Sequence, residues 1–182
     1  AFVIFLVLTI LGEAKSSKAT QEQIVAMLQQ EIEAKIKLST DSMASALGEI
    51  VKGLSEKEQI QIISKAISKM YFEDDKSSYY FVYKEGVALA YPHQTDIIGK
   101  SLWDTKDING TYFIRDLFES AKDESKRGKF VYYVFPKPLP DGKFVDAQKV
   151  SYAQLIPNTA NIWIGTGVYI DTLDTYTHAT SQ

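Results

Sequence analysis

The sequence contains no cysteine and few histidine or arginine residues, and each shortage removes a class of function. Without cysteine, the 182-residue chain has no disulfide framework, no thiol nucleophile and no cysteine-ligated metal site. Its two histidines, His93 and His178, cannot form a three-histidine zinc site. The two arginines, Arg115 and Arg127, and the formal net charge of -3 argue against a nucleic-acid-binding protein, which needs a basic face.

The chain also has no apolar run of the ~20 residues that a membrane-spanning helix requires. Its most apolar segment, residues 1–12, contains ten apolar residues and no charged one. We interpret this segment as the end of a transmembrane helix. A buried core helix or the remnant of a cleaved signal peptide would give the same pattern.

Residues 13–70 contain neither proline nor aromatic side chains, which is typical of a long helical region. Apolar residues recur there at intervals of three, four and seven, as they do along one face of a helix. A second helix should begin after Ser55, because Ser55 and Glu58 have the spacing of a capping box. The apolar stripe indicates packing against the rest of the domain or against a partner helix.

From Tyr71 onward the sequence is typical of strands and turns. A turn at residues 84–86 separates two aromatic and β-branched runs, and Thr111 can cap a helix. We expect a hairpin of residues 79–83 with 87–91, followed by a helix over residues 112–126. Three strands should follow, over residues 129–137, 149–155 and 162–170. Consecutive strands joined by short turns predict an antiparallel sheet with segregated helices, which is the α+β class.

Catalytic motifs are missing from the sequence, which has no nucleophile elbow, no phosphate-binding loop and no zinc-protease motif. The carboxylate pairs Asp74/Asp75 and Asp104/Asp107 could serve acid–base chemistry or bind calcium. Solvated loop charges are the more common role of such pairs. The sequence therefore indicates a protein that is not an enzyme and holds no metal or cofactor.

Aromatic and cationic side chains share faces of the predicted strands. In the first of the three strands, the two-residue period puts Tyr133, Phe135 and Lys137 on one face. In the next strand, Lys149 and Tyr152 point to opposite faces. An apolar wall with one cation and phenolic hydroxyls suits a small carboxylate. Ordinary core tyrosines would give the same pattern, and the residues alone do not decide between the two interpretations.

Seven short motifs, in order, resemble a known family. The chain is similar to the single Cache sensor domain (the sCache_2 type) of bacterial chemoreceptors and membrane histidine kinases. The resemblance covers about half of the chain. The motifs are Tyr80-Phe-Val-Tyr83, Leu89-Ala-Tyr-Pro92, Gly99-Lys-Ser-Leu102, Asp107-Ile-Asn-Gly110, Phe135-Pro-Lys-Pro138, Lys149-Val-Ser-Tyr152 and the run from Trp163 to Asp171.

The resemblance implies an extracytoplasmic sensor domain that binds a small organic acid of the acetate, propionate, pyruvate or lactate class. It implies a long N-terminal helix followed by a PAS-like antiparallel sheet with flanking helices. Ligand binding would pass a conformational signal to the membrane helices. Lys149 is expected to hold the carboxylate, with Lys137 as the alternative. The other expected ligand residues are Tyr80, Tyr91, His93, Phe113, Tyr133, Phe135 and Tyr152.

The expected organisation has four parts: residues 1–12 end a transmembrane helix, 13–70 are helical, 71–171 form the ligand-binding sheet domain, and 172–182 lead towards a second span. The whole protein would be a methyl-accepting chemotaxis receptor or a histidine kinase of the inner membrane. This domain would lie in the periplasm or outside the cell, and the full receptor would be a homodimer. A dimerising ectodomain without a small-molecule ligand is the alternative. No nucleic-acid partner is expected.

Overall fold

The computed structural model describes residues 18–123, 125 and 129–170. In chain order the elements are helices α1 (Lys18–Ile50) and α2 (Glu56–Ile67), strands β1 (Tyr71–Phe72), β2 (Ser78–Lys84) and β3 (Val87–Ala90), a short 3-10 helix (Thr95–Ile97), helix α3 (Phe113–Lys122), and strands β4 (Val131–Pro138), β5 (Phe144–Leu155) and β6 (Ile162–Tyr169). The expected α+β class is confirmed.

The apolar segment at residues 1–12 and the segment 172–182 lie outside the described residues, so the expectations for them are not addressed by this fold. Within the part of the chain that is described, no helix is both long enough and apolar enough to cross a bilayer.

The two N-terminal helices follow from the local sequence. Helix α1 contains no proline, and its apolar stripe, which includes Leu28, Ile36 and Leu47, is buried against the sheet. Gly53 then adopts a φ of 77°, which glycine reaches without steric strain. The predicted capping box of α2 is confirmed, because Ser55 accepts from the Glu58 N–H while the Glu58 carboxylate accepts from the Ser55 N–H.

The six strands form one antiparallel sheet in the order β1-β2-β6-β5-β4, with β3 also paired to β2. The predicted hairpin is confirmed, and Glu85 in its turn has a φ of 51°. At the centre of the sheet, Lys149 of β5 lies opposite Tyr133 of β4 on one side and Tyr169 of β6 on the other.

The sheet is covered on both faces. Helix α3 packs on one face, where the core includes Tyr79, Phe81, Leu117, Tyr133 and Trp163. Helices α1 and α2 pack on the opposite face, where the buried residues include Leu47, Ile63, Tyr80, Tyr152 and Ile164. Neighbouring residues of one strand therefore belong to different cores, as the pleat of a strand requires.

Several predicted element boundaries were wrong. Helix α3 ends at Lys122 rather than near residue 126, and β4 begins at Val131 rather than at residue 129. The N-cap of α3 is Tyr112 rather than Thr111, because the Asp107 carboxylate accepts the backbone N–H of Thr111 (2.8 Å) and holds it in the preceding loop. Strand β5 begins at Phe144 rather than at residue 149. The β4–β5 pairing continues to the pair Pro138–Phe144, and its exposed outer part has no apolar alternation that a sequence pattern could reveal.

Candidate functional site

Lys149 is completely buried in the core on the α3 face, although it carries an ammonium group. Four aromatic rings surround its Nζ atom, with centroids at 4.5 Å (Tyr79), 4.9 Å (Tyr169), 5.3 Å (Phe135) and 5.4 Å (Phe81). These distances allow cation–π attraction, which is stronger when the cation is shielded from water. The lysine predicted as the main ligand residue therefore lies at the centre of an aromatic cage.

Hydroxyl groups line the same side of the sheet. Lys149 Nζ donates to the Tyr79 hydroxyl at 3.4 Å, and that hydroxyl lies 2.6 Å from the hydroxyl of Tyr91. The Tyr133 hydroxyl lies 3.0 Å from Ser151 Oγ. Each hydroxyl can act as donor or acceptor, so the groups of both sets can reorient towards an anion.

The charge of Lys149 has no anionic partner among the described residues, and burial is the cause of its perturbed pKa. Burial lowers the pKa of Lys149 from 10.5 to about 7, because a low-dielectric surrounding disfavours the ammonium form. Burial also raises the pKa of Tyr79 to about 12 and the pKa of Tyr91 well above its usual value. Both tyrosines therefore stay neutral at physiological pH and cannot serve as counter-ions.

An aromatic wall extends from the cage towards α3. Phe113, the first residue of α3, stacks on Tyr133 with ring centroids 4.8 Å apart and an interplanar angle of 5°. Phe135 meets Phe113 edge-to-face at 5.5 Å. This wall places closely packed apolar rings on the same side of the sheet as the ammonium, which is the combination that a small amphiphilic acid requires.

Lys137 and His93 lie at the periphery of the cage. Lys137 Nζ is 5.8 Å from the centre of the Tyr169 ring and 3.9 Å from an oxygen of the Asp75 carboxylate. The His93 ring is 4.8 Å from the Tyr79 ring, and burial, followed by the nearby Lys149 charge, lowers the pKa of His93. His93 is therefore mainly neutral at pH 7.

The structure brings seven of the nine predicted ligand residues to this side of the sheet, but not Tyr80 and Tyr152. Tyr80 belongs to the core under α1 and α2, and Tyr152 packs under α1. The sheet separates both from Lys149, because each is one residue away from a strand position that faces the cage. A ligand bound beside Lys149 would not contact them.

Sequence reasoning missed Tyr79, Phe81 and Tyr169, which contribute three of the four cage rings. For β2, the signal was available in the alternation of Tyr79, Phe81 and Tyr83 along one face. For β6 there was no such signal, because all eight of its residues are buried and the strand has no polar face to set the register.

A concave region of about 380 Å³ lies between α3 and the start of β4. Its lining includes the carboxylates of Asp116 and Glu119, with Lys129 as the opposing charge. This mixed, net acidic lining is a poorer match to an anion than the Lys149 cage. Within the described ranges, no three His, Asp or Glu side chains are grouped so that they could hold a metal ion.

The chain is similar to chemotaxis proteins over most of its length. It is 24% identical over 156 residues to the methyl-accepting chemotaxis protein CtpM of Pseudomonas aeruginosa, a match that covers 85% of this chain and 26% of that protein. The chain thus spans about a quarter of the length of this relative.

Solved structures share the fold. A methyl-accepting chemotaxis protein from Vibrio parahaemolyticus has a TM-score of 0.72 at 24% identity, over 85% of this chain and 99% of that one. A Cache chemosensory domain whose structure concerns carboxylic acid recognition has a TM-score of 0.59 at 18% identity, over 86% of this chain and 100% of that one.

The family assignment comes from a match over nearly the whole chain. The family model dCache_2, described as a Cache domain, matches residues 9–181. The motifs in the sequence resembled the sCache_2 type of the same family, and the described residues form one six-stranded sheet. With the long N-terminal helix, the antiparallel sheet and this match together, the chain belongs to the Cache domain family.

Proposed function

We propose that this Cache domain is the sensor domain of a transmembrane chemoreceptor and that it binds a small organic acid of the acetate, propionate, pyruvate or lactate class through Lys149. The observation that carries the proposal is the fully buried ammonium of Lys149, which is enclosed by aromatic rings and has no carboxylate partner in the described part of the chain. Cache domains of chemotaxis receptors are periplasmic sensor domains of inner-membrane proteins. We therefore extend the proposal to a periplasmic location, membrane anchoring through the flanking segments, and a homodimeric receptor.

The physical basis is the cost of burying a charge alone. An ammonium that is removed from water without a counter-ion is destabilised, which is why the pKa of Lys149 falls to about 7. A ligand carboxylate would supply the missing negative charge and form a charge-assisted hydrogen bond. Binding would then raise the pKa of Lys149 back towards its ordinary value, so that at neutral pH the complex would take up protons.

The aromatic rings favour a short ligand. Phe113, Tyr133 and Phe135 pack against one another at centroid distances of 4.8–6.0 Å, and they would bury the carbon chain of the acid. A ligand of about five heavy atoms gains at most ~7.5 kcal/mol, from a ceiling near 1.5 kcal/mol per atom. The dissociation constant would therefore be no tighter than low micromolar, which suits a reversible sensor.

A set of tyrosines on the opposite face supports signal transfer to α1. Each of the strands β2, β4 and β5 carries one tyrosine whose hydroxyl bonds a side chain of α1: Tyr80 with Ser39 (2.5 Å), Tyr132 with Glu33, and Tyr152 with Asp41 (2.9 Å). The adjacent residues on these strands, Tyr79, Tyr133 and Ser151, face the Lys149 side. We propose that a ligand-induced shift of these strands moves α1 through the three hydroxyls. The ligand can bias the two arrangements only by its difference in affinity for them.

Binding is tested by a thermal-shift screen of the chain against C2–C4 organic acids, followed by calorimetry. We expect at least one acid to raise the melting temperature by mass action. Lys149→Ala should weaken that acid at least tenfold, since a charged hydrogen bond is worth ~1.5–3 kcal/mol. The control is Lys52→Ala, because the Lys52 side chain is 64% exposed. A calorimetric blank across the whole panel would refute the proposal.

Signal transfer is tested with spin labels on α1 and on the sheet, measured with and without the acid that the screen identifies. We expect the ligand to change the interlabel distance in the wild type. The triple variant with Tyr80→Phe, Tyr132→Phe and Tyr152→Phe should keep its affinity for the acid within about threefold, on the scale of one neutral hydrogen bond, but it should lose that change in distance. Tyr112→Phe, next to α3, is the control. An unchanged distance in the liganded wild type would exclude the proposed motion of α1.

A further inference from the structure

Two lysines approach the ring of Tyr169, and they differ in their anionic partners. Lys149 Nζ is 4.9 Å and Lys137 Nζ is 5.8 Å from the ring centre. Lys137 has the Asp75 carboxylate at 3.9 Å, whereas the described residues offer Lys149 no carboxylate. This end of the site thus presents two cations, of which one is already balanced by the protein's own anion.

The turn that carries Asp75 is held in place over this end of the site. The turn spans residues 73–77 between β1 and β2, and Asp75 accepts the Ser77 backbone N–H at 3.0 Å. The Lys76 carbonyl oxygen contacts His93 Nε2 at 3.2 Å. His93 in turn packs on the Tyr79 ring, which is also the ring closest to Lys149. The turn of Asp75 therefore contacts Lys137 directly and the Tyr79 ring through His93.

The backbone of this turn is strained, and the Asp75–Lys137 pair does not account for that strain. Glu73 and Lys76 have φ values of 62° and 57°, which side-chain-bearing residues seldom adopt. The Asp75 side chain is 43% exposed, and an ion pair at 3.9 Å between partly exposed groups adds little to folding stability. The turn is also tied to α1, because Lys35 Nζ lies 2.7 Å from the Glu73 carboxylate. Backbone strain of this kind is concentrated at ligand clamps and switch regions.

The Asp75 carboxylate stays ionised where it lies. Burial by itself would raise the pKa of Asp75, but the Ser77 hydrogen bonds and the Lys137 charge outweigh burial and lower the pKa below its usual value. A second carboxylate on a ligand would therefore meet a fixed negative charge at this position.

We propose that Asp75 is a specificity-determining residue, which restricts the Lys149 site to acids with a single carboxylate by occupying Lys137 and repelling a second carboxylate. The inference rests on the proposed function of the same site. Lys149 binds the one carboxylate of a monocarboxylic acid. A dicarboxylic acid finds its second cation already paired and a like charge beside it, and such juxtaposed like charges are an established device for rejecting a wrong ligand.

The test compares Asp75→Asn with the wild type in the 182-residue chain. Asparagine keeps a side-chain oxygen that can accept the Ser77 N–H, so the turn should be preserved. Dissociation constants are measured by calorimetry for acetate, propionate, pyruvate and lactate, and for malonate, succinate and malate. The matched control is Asp74→Asn, an exposed aspartate in the same turn. Circular dichroism verifies that each variant is folded.

We expect the wild type to bind its best monocarboxylate at least tenfold more tightly than any dicarboxylate. Asp75→Asn should shift this ratio at least tenfold towards the dicarboxylates, while Asp74→Asn leaves it unchanged. Adding Lys137→Met to Asp75→Asn should remove the gain, because the second cation of the site is then missing. If Asp75→Asn disturbs the turn, a second variant tests the inference with the turn left intact. Lys137→Glu in the otherwise wild-type chain must weaken binding of the dicarboxylates more than binding of the monocarboxylates.

Two results would overturn the inference while the proposed function stands: a wild type that prefers a dicarboxylate, or a folded Asp75→Asn variant with an unchanged ratio. A wild type that binds no acid of either kind at millimolar concentration would refute the proposed function, and the role of Asp75 with it.

Discussion

Replacing Lys149 by methionine should stabilise the ligand-free protein while it abolishes binding of small carboxylates. Methionine has a similar length, fills the same space among the four rings, and carries no charge. If the ammonium is buried without a counter-ion, its removal eliminates the free-energy cost of burying that charge in the ligand-free protein. An ordinary structural lysine would give the opposite result, because its loss would remove stabilising contacts.

The magnitude follows from the pKa of Lys149, which is 10.5 ordinarily and about 7 in the fold. At pH 7 this difference corresponds to a cost of about 4 kcal/mol, at 1.36 kcal/mol per pKa unit. Attraction to the four rings, about 0.5–1 kcal/mol each, offsets part of this cost. The variant should therefore gain between about 0 and 2 kcal/mol in the free energy of unfolding at pH 7.

The pH dependence gives a second signature. Because the folded pKa of Lys149 is lowered, the unfolded chain holds more protons than the folded one between pH 7 and pH 10.5. The contribution of Lys149 to wild-type stability should therefore rise with pH through this window, and the full cost should apply below pH 7. In Lys149→Met this rise is absent, so the stability advantage of the variant should shrink as the pH increases.

Urea unfolding of both proteins at pH 7, 8 and 9 measures these differences, with Lys52→Met as the exposed control. The reasoning is refuted if Lys149→Met is less stable than the wild type at pH 7 and the difference between them does not change with pH. Such a result would mean that Lys149 is charged and compensated in the free protein, and no carboxylate ligand would be needed to balance it.

Three further predictions follow from the same geometry. Carboxylate affinity should fall about tenfold per pH unit above about pH 7, because only protonated Lys149 pairs with the anion. Calorimetry at pH 7, 8 and 9 measures this dependence, and an affinity that does not change with pH would contradict it. Tyr133→Phe, which removes the hydroxyl near Ser151, should weaken the ligand less than Lys149→Ala, by roughly 0.5–1.5 kcal/mol in calorimetry, and an equal loss would speak against Lys149 as the main contact. Ser55→Ala should lower the free energy of unfolding by about 1 kcal/mol in urea denaturation, because it removes the capping box with Glu58, and no loss would mean that the cap adds nothing.

The sequence by itself determined the fold class and the composition of the site's main wall. Period-two alternation is visible in β4, because its outward residues are only half-buried, and it correctly grouped Tyr133, Phe135 and Lys137. The capping box at Ser55 and the hairpin after Tyr79 depend on neighbouring residues, so local pattern was sufficient for both. The same two-residue period also assigned Tyr152 and Lys149 to opposite faces of β5, which is where they lie.

Only the tertiary structure decided which side chains surround Lys149. Tyr79 and Tyr169 reach it from strands that are 70 and 20 positions away in the chain, and a strand buried on both faces, such as β6, carries no alternation to reveal its register. That Lys149 meets no carboxylate among the described residues is likewise a tertiary property, because it depends on where those carboxylates lie after folding. Local sequence dictates local hydrogen bonds and periodicity, whereas burial and charge balance arise from contacts between distant segments, and the chemistry of this site rests on those.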